Sequence, residues 1–298
     1  MTSAAASKHA ASGPAVAIGW MSLAVLLLSI MDAMVKWLEG AGYSVAQLVF
    51  FRAFFALPLI GIAILRGGGI RLLRTRRPLG HIARALLGTT TVACFFYAFG
   101  HMALADAVAI GFAAPLFSTI LSVLVLREAV GLHRWSAVVF GFLGVLIMLR
   151  PGAGTLQPAA LVALAGTVTY SGTTIVIRQL GRTEPALATV FYFMATSMAV
   201  GALFLPLNWH APDLLGWAML AGLGTIGAAG QFAITQALRI GPIAVVAPFD
   251  YTALLWATLF GFVIWHDVPD APMLLGAAIV IGSGLYILYR ETRRSRSK

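Results

Sequence analysis

The sequence predicts an all-α integral membrane protein, its ten transmembrane helices arranged as two inverted five-helix repeats. Three observations carry that expectation. Composition is the first: 60% of the residues are hydrophobic, 10% are charged and the mean hydropathy is +0.92, whereas a soluble domain carries about 25% charged residues. Segmentation is the second. Cutting the chain at its polar breaks leaves ten apolar stretches, roughly 16–38, 45–65, 81–101, 105–126, 135–149, 158–178, 186–206, 214–237, 243–265 and 272–289. A bilayer core takes about 17–25 helical residues to cross, so most of these fit; 135–149 is short unless its Arg and His flanks snorkel. Charge placement is the third. Numbering the gaps alternately puts Lys8, Arg66, Arg71, Arg74, Arg76, Arg77, Arg127, Arg134, Arg178, Arg182, Arg239, Arg290, Arg293, Arg294, Arg296 and Lys298 on one side, and Arg150 alone on the other. Lys36, Arg52 and Arg84 fall inside segments. The positive-inside rule then places both termini in the cytoplasm of a multi-pass protein of the bacterial inner membrane.

The same features exclude several classes. A net charge of +10 and a pI near 10.5 suggest nucleic acid, but the basic residues sit in short loops beside apolar spans, so no nucleic-acid partner is expected. The 66–77 loop and the 290–298 tail are placed to meet anionic headgroups of the lipid bilayer. Cys94 is the single cysteine, which rules out an intramolecular disulfide; no metal site and no cofactor are expected. The first apolar stretch is too long for a signal-peptide core and has no small-residue cleavage site after it.

The expected domains are a tail over 1–15, a first repeat over 16–150, a loop over 151–157, a second repeat over 158–290 and a basic tail over 291–298. The halves resemble one another in order. Val49-Phe50-Phe51 matches Val190-Phe191-Tyr192, Lys36 stands near the position of Arg178, and Ala103-Leu104 precedes Pro115 as Ala237-Leu238 precedes Pro248. Spans five and ten carry Gly141 and Gly144, and Gly276, Gly282 and Gly284, before Arg150 and Arg290. An odd number of spans per half forces the second half to enter the membrane inverted, and inverted repeats are typical of secondary transporters with a midplane site.

Within the spans, charged and polar groups are costly in lipid and should face partners or water. In span one, Asp32 lies ~9 Å inside the outer end and shares a face with Lys36; in span two, Arg52 lies ~10 Å inside. Asp32 and Arg52 are therefore read either as a buried ion pair locking two helices or as part of the substrate path. Thr174 and Phe193 occupy the corresponding places in the second half, and that asymmetry tilts the reading toward function. Span three aligns Cys94, Tyr97 and His101 on one face with Thr90 a turn below; span six aligns Tyr170 with Thr174, and span eight Gln231 with Thr235. In span nine, Asp250 follows Pro248 by two positions. A proline frees a backbone carbonyl, so the helix there should bend or break beside a cavity, with Asp250 open to a cationic amine or a proton, or paired with Arg239. Pro115 and Pro248 are the candidate gates. Trp20 and Trp265 suit an interfacial belt.

Two motifs are set aside. Gly222-Leu223-Gly224-Thr225-Ile226-Gly227 matches a dinucleotide fingerprint, but no strand precedes it, and with Gly230 it reads as a helix-packing stripe. Gly282-Ser283-Gly284 has no histidine base at a shared depth, so no catalytic residue is assigned.

Ala105-Asp106-Ala107 through Pro115-Leu116-Phe117, then Leu126-Arg127-Glu128, Arg134-Trp135, Gly141-Phe142-Leu143-Gly144-Val145 and Arg150-Pro151-Gly152 resemble the repeat unit of the drug/metabolite transporter superfamily, EamA branch. Ala247-Pro248-Phe249, Tyr251, Gly261, Asp267-Val268-Pro269, Gly276, Gly284-Leu285-Tyr286 and Arg290-Glu291 are similar to its second repeat, with Asp267 where the family usually has Glu. The resemblance covers ~17–290 and implies a ten-helix carrier with a central cavity, working by alternating access on a small-molecule substrate. A monomer is expected. By the same resemblance the favoured cargo is amino acids, aromatic ones included, moving outward. The alternatives are uptake of a cofactor-like solute such as riboflavin or S-adenosylmethionine and, in another class, an intramembrane lipid-modifying enzyme. The expected cavity set is Asp32, Lys36, Arg52, Thr90, Cys94, Tyr97, Tyr170, Thr174, Gln231, Thr235, Asp250 and Tyr251.

Overall fold

The computed structural model describes residues 3–127, 132–149, 157–181, 183–241 and 243–296, and every regular element among them is a helix. In order these are α1 Ser3–Gly40, α2 Val45–Gly67, α3 Pro78–His101, α4 Leu104–Gly111, α5 Ala114–Leu126, α6 Leu132–Leu149, α7 Pro158–Leu180, α8 Ala186–Phe204, α9 Leu214–Ile240, α10 Ile243–Val246, α11 Ala253–Trp265 and α12 Ala271–Arg296. A bilayer core offers no water to backbone amides, and a helix satisfies them within one segment. Among the described residues nine spans are long and apolar enough to cross a membrane, and Trp135–Leu149 is a shorter apolar helix. The apolar stretches read from the sequence each coincide with a helix or a run of consecutive helical pieces. Capping residues set several starts: Ser44 accepts from the Gln47 amide at 3.3 Å, Asp213 from Gly216 at 2.7 Å and Asp270 from Met273 at 3.0 Å. Prolines open α3 and α7, where the missing N–H costs nothing.

Two spans are broken. α4 stops at Gly111, two residues of turn follow, and α5 begins with Ala114-Pro115. The later span runs as α10, a 3₁₀ stretch over Ala247–Thr252 with Pro248 in its first turn, and then α11. The bends expected at Pro115 and Pro248 are present, because a proline cannot donate to the preceding turn. The breaks also touch: Tyr251 meets Phe112 edge to face with ring centroids 4.9 Å apart. α5 and α11 end alike, on the left-handed residues Arg127 (φ 53°) and His266 (φ 58°).

The most extensive helix pairings are α1 with α9, α3 with α7, α6 with α12 and α2 with α8. Small residues permit them, since helices in lipid gain little from apolar burial and depend on close packing. The expected stripe on α9 is real: a Cβ on Gly227 would lie 2.9 Å from the Met31 sulfur, and one on Gly230 2.8 Å from Leu28. α6 and α12 approach backbone to backbone, with Gly144 and Gly276 each facing the other's carbonyl oxygen.

Candidate functional site

The helices place ionisable and aromatic side chains at three levels: the face bearing the basic 68–77 loop, the centre, and the opposite face. At the opposite face α1 is tied to its neighbours. Lys36 Nζ lies 2.6 Å from Asp267 Oδ2, donates to the Met102 carbonyl at 3.0 Å and stands 5.0 Å from the Trp265 ring centroid. Two hydrogen bonds and one ring contact on a single ammonium thus join α1, the end of α3 and the end of α11 with the segment after it. Nearby, Glu39 packs against Gly100 and lies 3.8 Å from His101 Nδ1. Gln47, fully buried, donates to the His210 carbonyl at 2.7 Å and accepts from the His210 amide at 3.2 Å. This reciprocal amide pair fastens α2 to the segment before α9.

In the centre, Asp32 and Arg52 lie close enough for each charge to act on the other. Among the described residues no ion pair or side-chain hydrogen bond joins the two. Arg52 is buried with its Nε unpartnered, its guanidinium 5.9 Å from the Phe96 ring centroid. Arg84 is also buried; it lies 3.8 Å over the Phe193 ring, within electrostatic reach of Arg52 and Tyr170. Asp250 also acts on Tyr170. Tyr170 and Asp250 lie deep among protein atoms, yet 51% of the Tyr170 surface is open and Asp250 is exposed. The two observations agree if both side chains line a cavity inside the helix bundle.

At the basic face, Glu184 is enclosed by the loop before α3. Its Oε1 accepts from the Arg76 amide at 3.1 Å, its Oε2 lies 3.3 Å from His81 Nε2, and its side chain is 2% exposed although it sits at the rim of the protein. Tyr192 donates to the Leu73 carbonyl at 2.7 Å and packs on His81. Desolvation raises the Glu184 carboxyl, but the Arg76 amide, His81 and Thr75 outweigh it and hold the group below its ordinary value. A depressed carboxylate stabilises the fold above its ordinary range and loses that contribution as pH falls through its folded value. The melting temperature in detergent should therefore fall on acidification below the ordinary carboxylate range, and Glu184→Gln should flatten that segment of the curve; an unchanged curve would remove this role.

The expected site residues divide into groups. Tyr170, Thr174, Gln231, Thr235 and Asp250 are exposed, and the hydroxyls of Thr174 and Thr235 bond back to the Tyr170 and Gln231 carbonyls of their own helices. Thr90 is exposed on α3. Tyr97 is half-buried and stacks on His101 at 4.0 Å between centroids. Cys94 lies in the seam between α3 and α7, its Cβ against Gly166. Tyr251 packs at the junction of the two breaks, its hydroxyl against Gly284. Lys36, expected beside Asp32 on one helix face, is committed to Asp267 instead. Arg239, the alternative partner for Asp250, has a side chain outside the described set. Sequence reasoning missed Arg84, Asp267 and the His81–Glu184 contact. The signal for Arg84 was its position inside a span; the aromatic partner that explains it lies 109 positions later, in the other half.

The profile of the EamA-like transporter family matches residues 15–150 and again 157–289. The chain belongs to that family. It is a membrane transporter rather than an enzyme. Among its relatives, an S-adenosylmethionine uptake transporter of Rickettsia prowazekii is 29% identical over 94% of this chain and 95% of its own length. A pseudopaline exporter of Pseudomonas aeruginosa is 29% identical over 87% and 91%, and a riboflavin transporter of Vibrio cholerae is 29% identical over 93% and 94%. A solved structure superimposes with a TM-score of 0.60 at 20% identity, covering 95% of this chain and 98% of that one, and supports the fold.

Proposed function

We propose that this EamA transporter is a ten-helix alternating-access carrier for a small metabolite, built from two inverted repeats and standing here with its cavity closed at the opposite face. The observation that carries this reading is the contrast between levels. Deep side chains such as Tyr170 and Asp250 keep open surface, while Lys36–Asp267 and Gln47–His210 tie the opposite face together. By the positive-inside rule the basic face is cytoplasmic and both termini are inside. The inverted arrangement is supported by pairings that exchange under it. α1 packs on α9 as α7 packs on α3, α2 meets α8, α6 meets α12, and the breaks at Pro115 and Pro248 fall in corresponding spans. Rocking of the halves about these breaks would transfer access from one side to the other.

The cargo class follows from the lining. Arg84 and Asp250 both act electrostatically on Tyr170, so both charge signs stand within reach of one aromatic side chain. S-adenosylmethionine and riboflavin, named for two relatives, and aromatic amino acids are the first solutes to try. Purified protein in sealed vesicles should move at least one of them without chemical change. Product formation without flux, or no flux of any, would overturn the reading.

Asp32 and Arg52 provide a residue-level check. Exchanging them, Asp32→Arg with Arg52→Asp, keeps the net charge and should recover folding but not flux, because the charge pattern facing the cavity is reversed. Full recovery of transport by the exchange would assign them a structural role only.

A further inference from the structure

Arg84 is placed unlike an architectural arginine. It is 7% exposed, its Nε and Nη1 are buried without a hydrogen-bond partner, and it is not among the ion-paired residues described. An unpaired guanidinium inside a membrane protein is costly and calls for a partner. The site is nonetheless built to hold it. Phe193 supports one face of the guanidinium at 3.8 Å, and the absent side chain of Gly88 leaves the space into which Arg84 folds back along α3. Stacking fixes the plane of the fork, and Nε and Nη1 are left without an acceptor at a buried position. The second buried arginine adds to the demand: Arg52, also 7% exposed, acts on Arg84, and its Nε is likewise unpartnered. Among the described residues Asp32 is the acidic group that acts on Arg52, so two arginines stand against one carboxyl there. On the cavity side Arg84 is coupled to Tyr170, whose surface is half open.

We propose that Arg84, backed by Arg52, is a carboxylate-binding subsite of the cavity, and that the transported solute carries a carboxylate there. This rests on the carrier reading above. A guanidinium fork donates two parallel N–H···O bonds to a carboxylate, and Asp250, which also acts on Tyr170, suits the cationic end of the same solute. The cargo is thus a zwitterion with a flat ring able to lie on Tyr170.

The test needs no transport assay. Detergent-solubilised protein is heated with millimolar benzoate, with benzamide as its neutral isostere, and with inorganic phosphate. Benzoate should raise the wild-type melting temperature by ~2–4 °C through mass action, while benzamide should not. Arg84→Met should lose the benzoate shift, and its ligand-free melting temperature should hold or rise, since a buried unpaired charge is gone. Arg84→Lys, which keeps the charge but not the fork, should retain a reduced shift and decides the matter if the methionine variant does not fold. Equal shifts in wild type and Arg84→Met, equal shifts with benzoate and benzamide, a response to phosphate alone, or no response would each overturn the subsite. Flux in vesicles alongside any of these failures would leave the carrier standing and remove only the carboxylate assignment.

Discussion

Replacing Lys36 with methionine should loosen the face opposite the basic loops. The substitution leaves Asp267 and the Met102 carbonyl without their donor and withdraws the cation from Trp265. Breaking a fully buried pair costs about 3–5 kcal/mol, but the Asp267 side chain is 33% exposed here, so about 1–3 kcal/mol is the scale to expect. A bias of one or two kcal/mol changes a two-state ratio by roughly 5–30-fold. Where that ratio is closed against open at this face, the variant should show a lower melting temperature and faster opening. Exchanging the charges, Lys36→Asp with Asp267→Lys, should recover part of the loss, because the shared aromatic neighbour stays in place. Equal melting temperatures for wild type, single variants and the exchange would show that solvent screens the pair and that closure comes from apolar packing alone.

Gly276→Leu should be the most destructive single change in the membrane core. A Cβ at 276 would stand 2.6 Å from the Gly144 carbonyl oxygen and 2.5 Å from Met148, and a Cβ at 144 would stand 2.8 Å from the Gly276 oxygen. Backbone cannot yield as a flexible side chain does, so α6 and α12 must separate. Overpacking of this kind costs ~1–3 kcal/mol for small additions and more for a leucine. Gly282→Ala on the same helix is the control. Nothing lies within 4 Å of its added carbon, and removing a helical glycine stabilises by ~0.4–1 kcal/mol. Size-exclusion profiles and melting curves should show Gly276→Leu aggregated or absent and Gly282→Ala at or above wild type.

The all-helical, multi-span membrane architecture was legible in the sequence because its main determinants are local. Span ends follow from apolar length, and the two breaks follow from Pro115 and Pro248. The α9 stripe follows from glycine spacing. Long-range partnerships were less legible. Asp32 and Arg52 were grouped by matched depth, and Lys36 joined them through its i, i+4 face with Asp32. Depth could not reveal that Lys36 is taken by Asp267, 231 positions away. Arg84 was seen inside a span but not placed in the site for a related reason: its partner is an aromatic face, and Phe193 resembles any other apolar residue in a span. The Glu184 contact was invisible because it joins a loop of one half to the first turn of α3 and the loop before it in the other, 103 and 108 positions apart along the chain.

The central claim, a cavity reached from the basic face and closed at the other by the Lys36–Asp267 contact, is tested most directly by two-sided thiol labelling. In a Cys94→Ala background, Thr174→Cys and Tyr97→Cys report on the two ends of the path, with a membrane-impermeant maleimide applied to oriented vesicles from one side at a time. Thr174→Cys should react from the cytoplasmic side, and Tyr97→Cys should react slowly from outside until Asp267→Asn is added, when its external labelling should rise several-fold. Labelling of Thr174→Cys only from outside, or external labelling of Tyr97→Cys that ignores Asp267→Asn, would contradict the account.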